Sequence, residues 1–337
     1  MATTSMWISR SMSDPAFGRG YHSVFAKDRL TLGVNFPIES YAASPVPLMK
    51  EQMALAKRVE DAGFAALWSR DVPLLDPSFG DAGQIFDPWV WLGYVTAHTD
   101  TIALGTGAII LPLRKGVDLA KAAASVDKLS GGRLIMGVAS GDRPVEYSVY
   151  KTEFETRGAA FRDTLEFIRS ATTAPTDWSD QDAARSGELH ILPKASAGKI
   201  PFLVTGNSRQ SPDWIAENAD GWLMYPRPID QQRGVLKEWH EQLKAAEQPW
   251  KPFAQSLYID LTVDPNEPPR PIHLGYRLGR HALLDHLRAS QDIGVNHITF
   301  NIRFSSRPVE DVIDELATEV VPQFPKMTTG PSQRPID

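Results

Sequence analysis

The chain has no cysteine in 337 residues. That absence removes disulfides, thiolate nucleophiles and thiolate metal ligands together, and it fits a reducing, cytoplasmic setting. Long apolar runs are missing too. No window approaches the roughly 20 residues that cross a bilayer, and the N-terminus has no secretory apolar core, so no membrane partner is expected. Charge of one sign is scarce: the formal net charge is -6 with acids and bases interspersed, which leaves no basic footprint for nucleic acid. The eight histidines show no His-x-x-x-His spacing, and no metal site is expected. Neither a Gly-x-Ser-x-Gly elbow nor a Gly-Lys-Ser/Thr phosphate loop is present. What remains is 42% apolar and 23% charged residues, the composition of a soluble globular enzyme.

From Leu30 onward apolar runs with strand character alternate with helical spacing. Strand-like segments are Leu30–Phe36, Phe64–Trp68, Thr101–Gly105, Arg133–Ala139, Ile200–Val204, Gly221–Met224, Phe253–Val263 and His297–Ile302. Between and after them lie helical segments at Pro47–Ala62, Pro88–His98, Gly116–Leu129, Phe161–Ala171, Pro212–Asn218, Ile229–Glu247, Gly279–Asp292 and Val309–Val321. Eight of each in alternation predict an α/β fold of the closed (β/α)8 barrel kind, with a doubly wound open sheet as the rival. The expected organisation is an N-terminal arm over 1–29, one barrel over 30–324 and a tail over 325–337. The arm reads either as a transit-type leader or as a segment docked on a barrel or a neighbouring subunit, and Trp7, Phe17, Tyr21 and Phe25, otherwise left in solvent, favour the docked arm.

In such barrels chemistry sits where strands end and helices begin. Three strand ends here are small and polar. Val204–Ser211 (VTGNSRQS) reads either as a phosphate cradle at a helix start or as a plain turn capped by Ser208 or Ser211. Gly105-Thr106-Gly107-Ala108 reads as clearance for a flat ring or as a bend at the rim. Ser140-Gly141-Asp142-Arg143 offers a carboxylate acceptor and a guanidinium, or a solvated Asp-Arg pair. Arg70 and Asp71, on the longest loop of the first half, are substrate contacts or a mutual ion pair, the pair being the favoured reading. His297 is expected as a satisfied core or rim residue. No residue stands out as a catalytic acid, base or nucleophile.

Together, LTLGVNFP, EDAGFAALWSRDVP, IALGTGAIILPLR, LSGGRLIMGVASGDRPVEY, RGAAFRDTLEFIR and PFLVTGNSRQSPDWIAENADGWLMYPR resemble the bacterial luciferase-like, flavin-dependent oxidoreductases from about Leu30 to Gln323. The resemblance implies a barrel, dimeric or tetrameric, that holds FMN or the deazaflavin F420 at its C-terminal mouth. By it the ring lies against Gly105, Thr106, Gly107 and Ala108, where the family often has a non-proline cis peptide bond. Ser140, Gly141 and Asp142 line the ring's polar side, and Thr205, Gly206, Asn207, Ser208, Gln210 and Ser211 hold the phosphate. Tyr41, Trp68 and Arg70 become candidate substrate contacts. The implied activity is an FMN-dependent monooxygenase that takes reduced flavin from a separate reductase. Alternatives are an F420-dependent reductase or dehydrogenase and a silent flavin-binding protein. Two departures stand out: Ser69-Arg70-Asp71-Val72 replaces a histidine common after the second strand, and the reactive cysteine of the light-emitting members is absent.

Overall fold

The computed structural model describes residues 17–79, 81–173 and 190–328; Trp7 and the rest of the first sixteen residues, and the tail beyond 328, lie outside the described residues. A short helix, α1 (Arg19–Val24), precedes β1 (Thr31–Asn35). Next come α2 (Gln52–Asp61), β2 (Ala66–Ser69), α3 (Pro88–His98), β3 (Ala103–Thr106), β4 (Ile109–Ile110), α4 (Gly116–Leu129) and β5 (Leu134–Ala139). The second half adds α5 (Pro144–Tyr150), α6 (Arg157–Thr173), β6 (Phe202–Thr205), α7 (Pro212–Asn218), β7 (Gly221–Met224), α8 (Ile229–Ala245) and β8 (Phe253–Leu261). A hairpin of β9 (Arg270–Ile272) and β10 (Gly275–Leu278), then α9 (Arg280–Asp292), β11 (His297–Asn301) and α10 (Val309–Glu315), complete the order.

Strands β1, β2, β3, β5, β6, β7, β8 and β11 are parallel neighbours in that order, and β11 pairs with both β8 and β1. His297 stands beside Thr31 on one side and Ala254 on the other. That pairing closes the sheet and excludes the open doubly wound alternative. Three local differences from the sequence reading have physical causes. Helix α2 starts at Gln52, not Pro47, because Met49 and Glu51 are left-handed (φ 57° and 53°) and Glu39 takes the amides of Leu48 and Met49 at 2.9 Å each. The last helix loosens into a π turn over Leu316–Val320. Helix α5 and the β9–β10 hairpin are too short to carry a readable period.

Alternation along the strands divides two cores. Large residues such as Leu32, Val34, Leu67, Met136, Phe202, Val204 and Phe300 pack beneath the helices. The other face is smaller: Ala66, Ala103, Ile135, Leu203, Leu223 and Ala254 join Trp68 with Tyr21, Val24 and Phe25 of the N-terminal segment. Helix α1 thus fills the end of the barrel where the strands begin. Arg19 donates to the carbonyls of Gly131, Asp100 and Ser130 at 3.0, 2.8 and 3.1 Å. A Cβ on Gly18 or Gly20 would fall 2.4 or 2.3 Å from the carbonyl oxygens of Gly132 or Arg133, so only glycine permits this approach. The described part of the arm therefore docks on its own barrel.

A polar chain crosses this interior. The Trp68 indole N–H donates to His297 Nε2 at 2.9 Å, which fixes Nδ1 as the protonated nitrogen facing Thr31 Oγ1 at 2.8 Å. Thr31 in turn donates to the Val24 carbonyl at 2.8 Å. Complete burial holds His297 far down, to about 3, so the ring is neutral and each of its nitrogens is satisfied. Elsewhere, Glu60 Oε1 caps the approach to β3 by accepting from the amides of Asp100, Thr101 and Ile102 at 2.9, 2.6 and 2.9 Å. Burial opposes its charge, but these amides and Lys57 outweigh it and hold the carboxyl at about 2. Among the described residues no helix is long and apolar enough to cross a membrane.

Candidate functional site

The C-terminal ends of the strands bring the sequence-flagged segments to one rim, but for different reasons. Gly105 is small because the Trp68 ring lies on it: a Cβ there would sit 2.3 Å from Trp68 Cε3. Clearance expected at Gly105 is therefore taken by an indole. Gly141 (φ 72°) likewise faces packed atoms, 2.8 Å from Ile110 Cγ2 and 3.2 Å from the Tyr147 hydroxyl. Gly107 and Gly206 differ. A Cβ on Gly107 would make only ordinary contacts, 3.8 Å to Trp68 and 3.9 Å to Leu223, and one on Gly206 (φ 57°) would meet nothing within 4 Å. The Gly107–Ala108 peptide bond is cis, within the segment where the resemblance implied one. Thr106 donates to the Gly137 carbonyl at 2.8 Å, so its hydroxyl braces the rim.

The turn after β6 is built from left-handed residues, with φ 57°, 45° and 61° at Gly206, Ser208 and Arg209. Several bonds fix it. Gly206 N–H donates to Leu223 O at 2.8 Å, and the Trp222 indole donates to Gly206 O at 2.7 Å. Ser208 Oγ donates to Thr205 O at 2.7 Å and accepts from the Ser140 amide at 3.3 Å, which ties the β5 and β6 rims together. Gln210 braces from behind, donating to Gly158 O at 2.9 Å and accepting from Arg162 at 3.2 Å. Neither serine is a helix cap: Ser211 precedes α7 without a side-chain cap bond. With the turn so held, the amides of Asn207, Ser208 and Arg209 find no acceptor among the described residues. Successive N–H groups of this kind are able to take an anion where one binds.

Asp142 is exposed and does not pair with Arg143. Arg143 turns instead to Glu146, 3.5 Å away, and lies over the Phe79 ring at 4.1 Å. Both Glu146 oxygens are buried without a hydrogen-bond partner, and burial, opposed by Arg143, pushes that carboxyl up. Ser69 Oγ and Thr205 Oγ1, also at strand ends, are buried and unpartnered in the same way.

Across the mouth the expected Arg70–Asp71 pair does not form. Asp71 accepts from Arg114 Nη2 at 2.7 Å and from the Ile110 amide at 3.0 Å, anchoring the segment after β4. Arg70 turns to Asp81 at 2.6 Å, as does Arg303 at 3.2 Å. Tyr41 donates to the other Asp81 oxygen at 3.1 Å and the Gly83 amide does so at 2.7 Å. Adjacent side chains in the extended segments ending β2 and β11 point opposite ways, so barrel closure rather than chain proximity chooses the partners. Tyr41 and Arg70 therefore meet in one cluster, whereas Trp68 lies fully buried beneath Gly105. Asp81, Tyr258, Arg303 and Glu146 were not singled out from the sequence. Arg303 lies two residues past β11, where the strand-end rule carried on to the last strand reaches it. An outer groove of about 440 Å³ between α8 and α9, lined by Arg233, Lys237, His240 and Lys244 among others, lies away from these strand ends. Among the described residues no group of three or more His, Asp or Glu could hold a metal ion.

A closed parallel barrel with an amide-lined turn on one wall of its C-terminal mouth and a guanidinium cluster on the other defines a (β/α)8-barrel protein of enzyme type. Within that class the chain belongs to the luciferase-like monooxygenase family, which matches residues 30–268. It is 32% identical over 193 residues to an uncharacterized protein of Mycobacterium tuberculosis (strain ATCC 25618 / H37Rv), covering 52% of this chain and 68% of that one. It is also 26% identical over 176 residues to the alkanal monooxygenase alpha chain of Photorhabdus luminescens, covering 52% of this chain and 47% of that one. An F420-dependent secondary alcohol dehydrogenase, solved with an F420-acetone adduct, superposes with a TM-score of 0.69 at 15% identity, over 87% of this chain and 98% of that one; at that identity the likeness is one of fold.

Proposed function

We propose that this protein is an FMN-dependent monooxygenase of the cytoplasm, acting on a small organic substrate with flavin reduced by a separate enzyme. The observation that carries this reading is the turn at Gly206–Arg209, where three unpartnered amides flank a glycine whose missing Cβ leaves open space. The residues fit a phosphate-bearing ring cofactor on that ground, and the buried, unpartnered Thr205 and Ser69 hydroxyls at the same rim support it. The amides of Asn207, Ser208 and Arg209 would hold the phosphate, with Ser208, Gln210 and Ser211 keeping the turn in shape. Gly107 and Ala108 would receive the ring, Ser140 and Gly141 its polar side, and exposed Asp142 a ring N–H. Trp68 acts from below, as a floor locked by His297. When bound, the flavin supplies the electrons for oxygen or hydride chemistry.

The barrel would pair with a second copy through the apolar stripe Phe86, Val90 and Tyr94, all exposed, the last two at one-turn spacing on α3. Reconstitution tests the cofactor. Titration with FMN and with F420, followed by absorbance, is expected to give saturable FMN binding; F420 binding with none of FMN would replace the proposal by a deazaflavin-dependent reductase or dehydrogenase. Oxygen uptake with reduced FMN then separates an enzyme from a silent binder.

A further inference from the structure

Strand β8 outlasts its neighbour at the mouth. Its pairing with β11 ends at Tyr258, and from Tyr258 to Leu261 it pairs with β10 of the hairpin. The sheet therefore continues above the rim on this side. The hairpin is seated without clearance: a Cβ on Gly275 would fall 1.8 Å from the Tyr258 carbonyl oxygen, an approach that needs glycine. Beside it Leu274 is left-handed, φ 50°, and its carbonyl accepts from the Tyr258 amide at 3.1 Å. The turn residue before it, His273, is thereby fixed against β8.

What this raised wall presents is rings. Tyr258 keeps the inward parity of Ala254, and Tyr225, just past β7, that of Leu223. Phe304, three residues past β11, packs on Tyr258 with ring centroids 5.5 Å apart and planes at 39°. His273 meets Tyr258 edge-on, at 5.7 Å and 73°, and Phe304 at 6.5 Å and 78°. Burial raises the Tyr258 phenol, and Tyr225 stands near enough to add to that rise. Four rings from three strand ends and one hairpin thus share one side of the mouth. They are unequally covered. Tyr258 is buried and Phe304 half-buried, whereas His273 is exposed and Tyr225 keeps 58% of its surface open. Aromatic area left open at inward positions of a mouth is a contact surface for something that enters it.

We propose that these rings set the substrate class: a planar aromatic molecule, whose ring lies against Tyr225, His273 and Phe304 with Tyr258 behind them. Edge-to-face and offset contacts between rings favour such a molecule over an aliphatic one of the same size by about threefold to tenfold per ring pair. The inference rests on the functional reading for calling the occupant a substrate, but the recognition itself is tested without cofactor. The experiment is isothermal titration of the cofactor-free protein with 2-naphthol and with decahydro-2-naphthol, which keeps the fused skeleton and the hydroxyl but has no flat π face. The aromatic alcohol is expected to bind at least about fivefold more tightly, and Tyr225→Leu and His273→Leu, both at exposed positions that the fold tolerates, each to cut that ratio about threefold. Tyr258→Phe keeps the ring and is expected to keep the ratio. Equal binding of the two alcohols, or an unchanged ratio in either leucine variant, overturns the proposal; 2-naphthol seated on the rim assigned to the flavin would give that second result. A ratio lost in Tyr258→Phe would assign the selection to a hydroxyl and overturn it as well. FMN titration of the parent protein stands apart: its failure removes the flavin reading and leaves the aromatic selection intact.

Discussion

Replacing Gly206 by leucine separates folding from cofactor binding. The backbone there is left-handed, φ 57°, which costs a residue with a Cβ about 1–2 kcal/mol. No steric cost adds to this, because a Cβ would meet nothing within 4 Å. For a chain of 337 residues the penalty corresponds to a drop in Tm of roughly 1–3 °C. The leucine side chain would instead fill the space beside the Asn207–Arg209 amides. Loss of that cradle is expected to weaken FMN at least about a hundredfold, or ~2.7 kcal/mol. Thermal unfolding by circular dichroism and quenching of flavin fluorescence on titration give the two quantities. A folded Gly206→Leu protein that keeps micromolar FMN affinity would refute the phosphate placement, and the argument from the unpartnered amides with it.

Two further substitutions probe the scaffold. Trp68→Phe keeps most of the ring but leaves His297 Nε2 buried without a donor, and is expected to cost about 1–3 kcal/mol in chemical denaturation; unchanged stability would show that the interior chain contributes nothing. Glu60→Gln removes a carboxylate whose folded value, about 2, lies below its unfolded one near 4.5. A depressed carboxyl stabilises fully above the unfolded value and loses its effect as pH falls through the folded one, so the substitution is expected to cost on the order of 3 kcal/mol at pH 7, with the gap shrinking between about pH 4.5 and 2. A gap independent of pH would contradict that assignment.

The barrel was legible because its strands and helices differ in period over long stretches, and closure needed only the count of eight. At Thr205–Ser211 small residues after a buried strand pointed to a turn, and the structure has one there, left-handed at Gly206, Ser208 and Arg209. Gly105 shows the limit. A glycine that admits a ligand and one that admits an indole both lack a Cβ, and the sequence cannot say which neighbour arrives. Charge pairing shows another limit. Adjacent Arg70 and Asp71 look like a pair along the chain, yet each finds its partner on a different loop, Asp81 and Arg114, because neighbouring side chains on extended backbone diverge. Arg303 joins the cluster only because the last strand returns beside the first.

The plug formed by α1 makes the barrel a vessel with one opening. Its stopper is wired to the floor of that opening, from the Val24 carbonyl through Thr31 and His297 to the indole under Gly105. Displacing residues 17–25 would therefore do more than loosen the base: it would release the bolt that holds Trp68 flat, and the far end of the molecule would feel a change made at the near one.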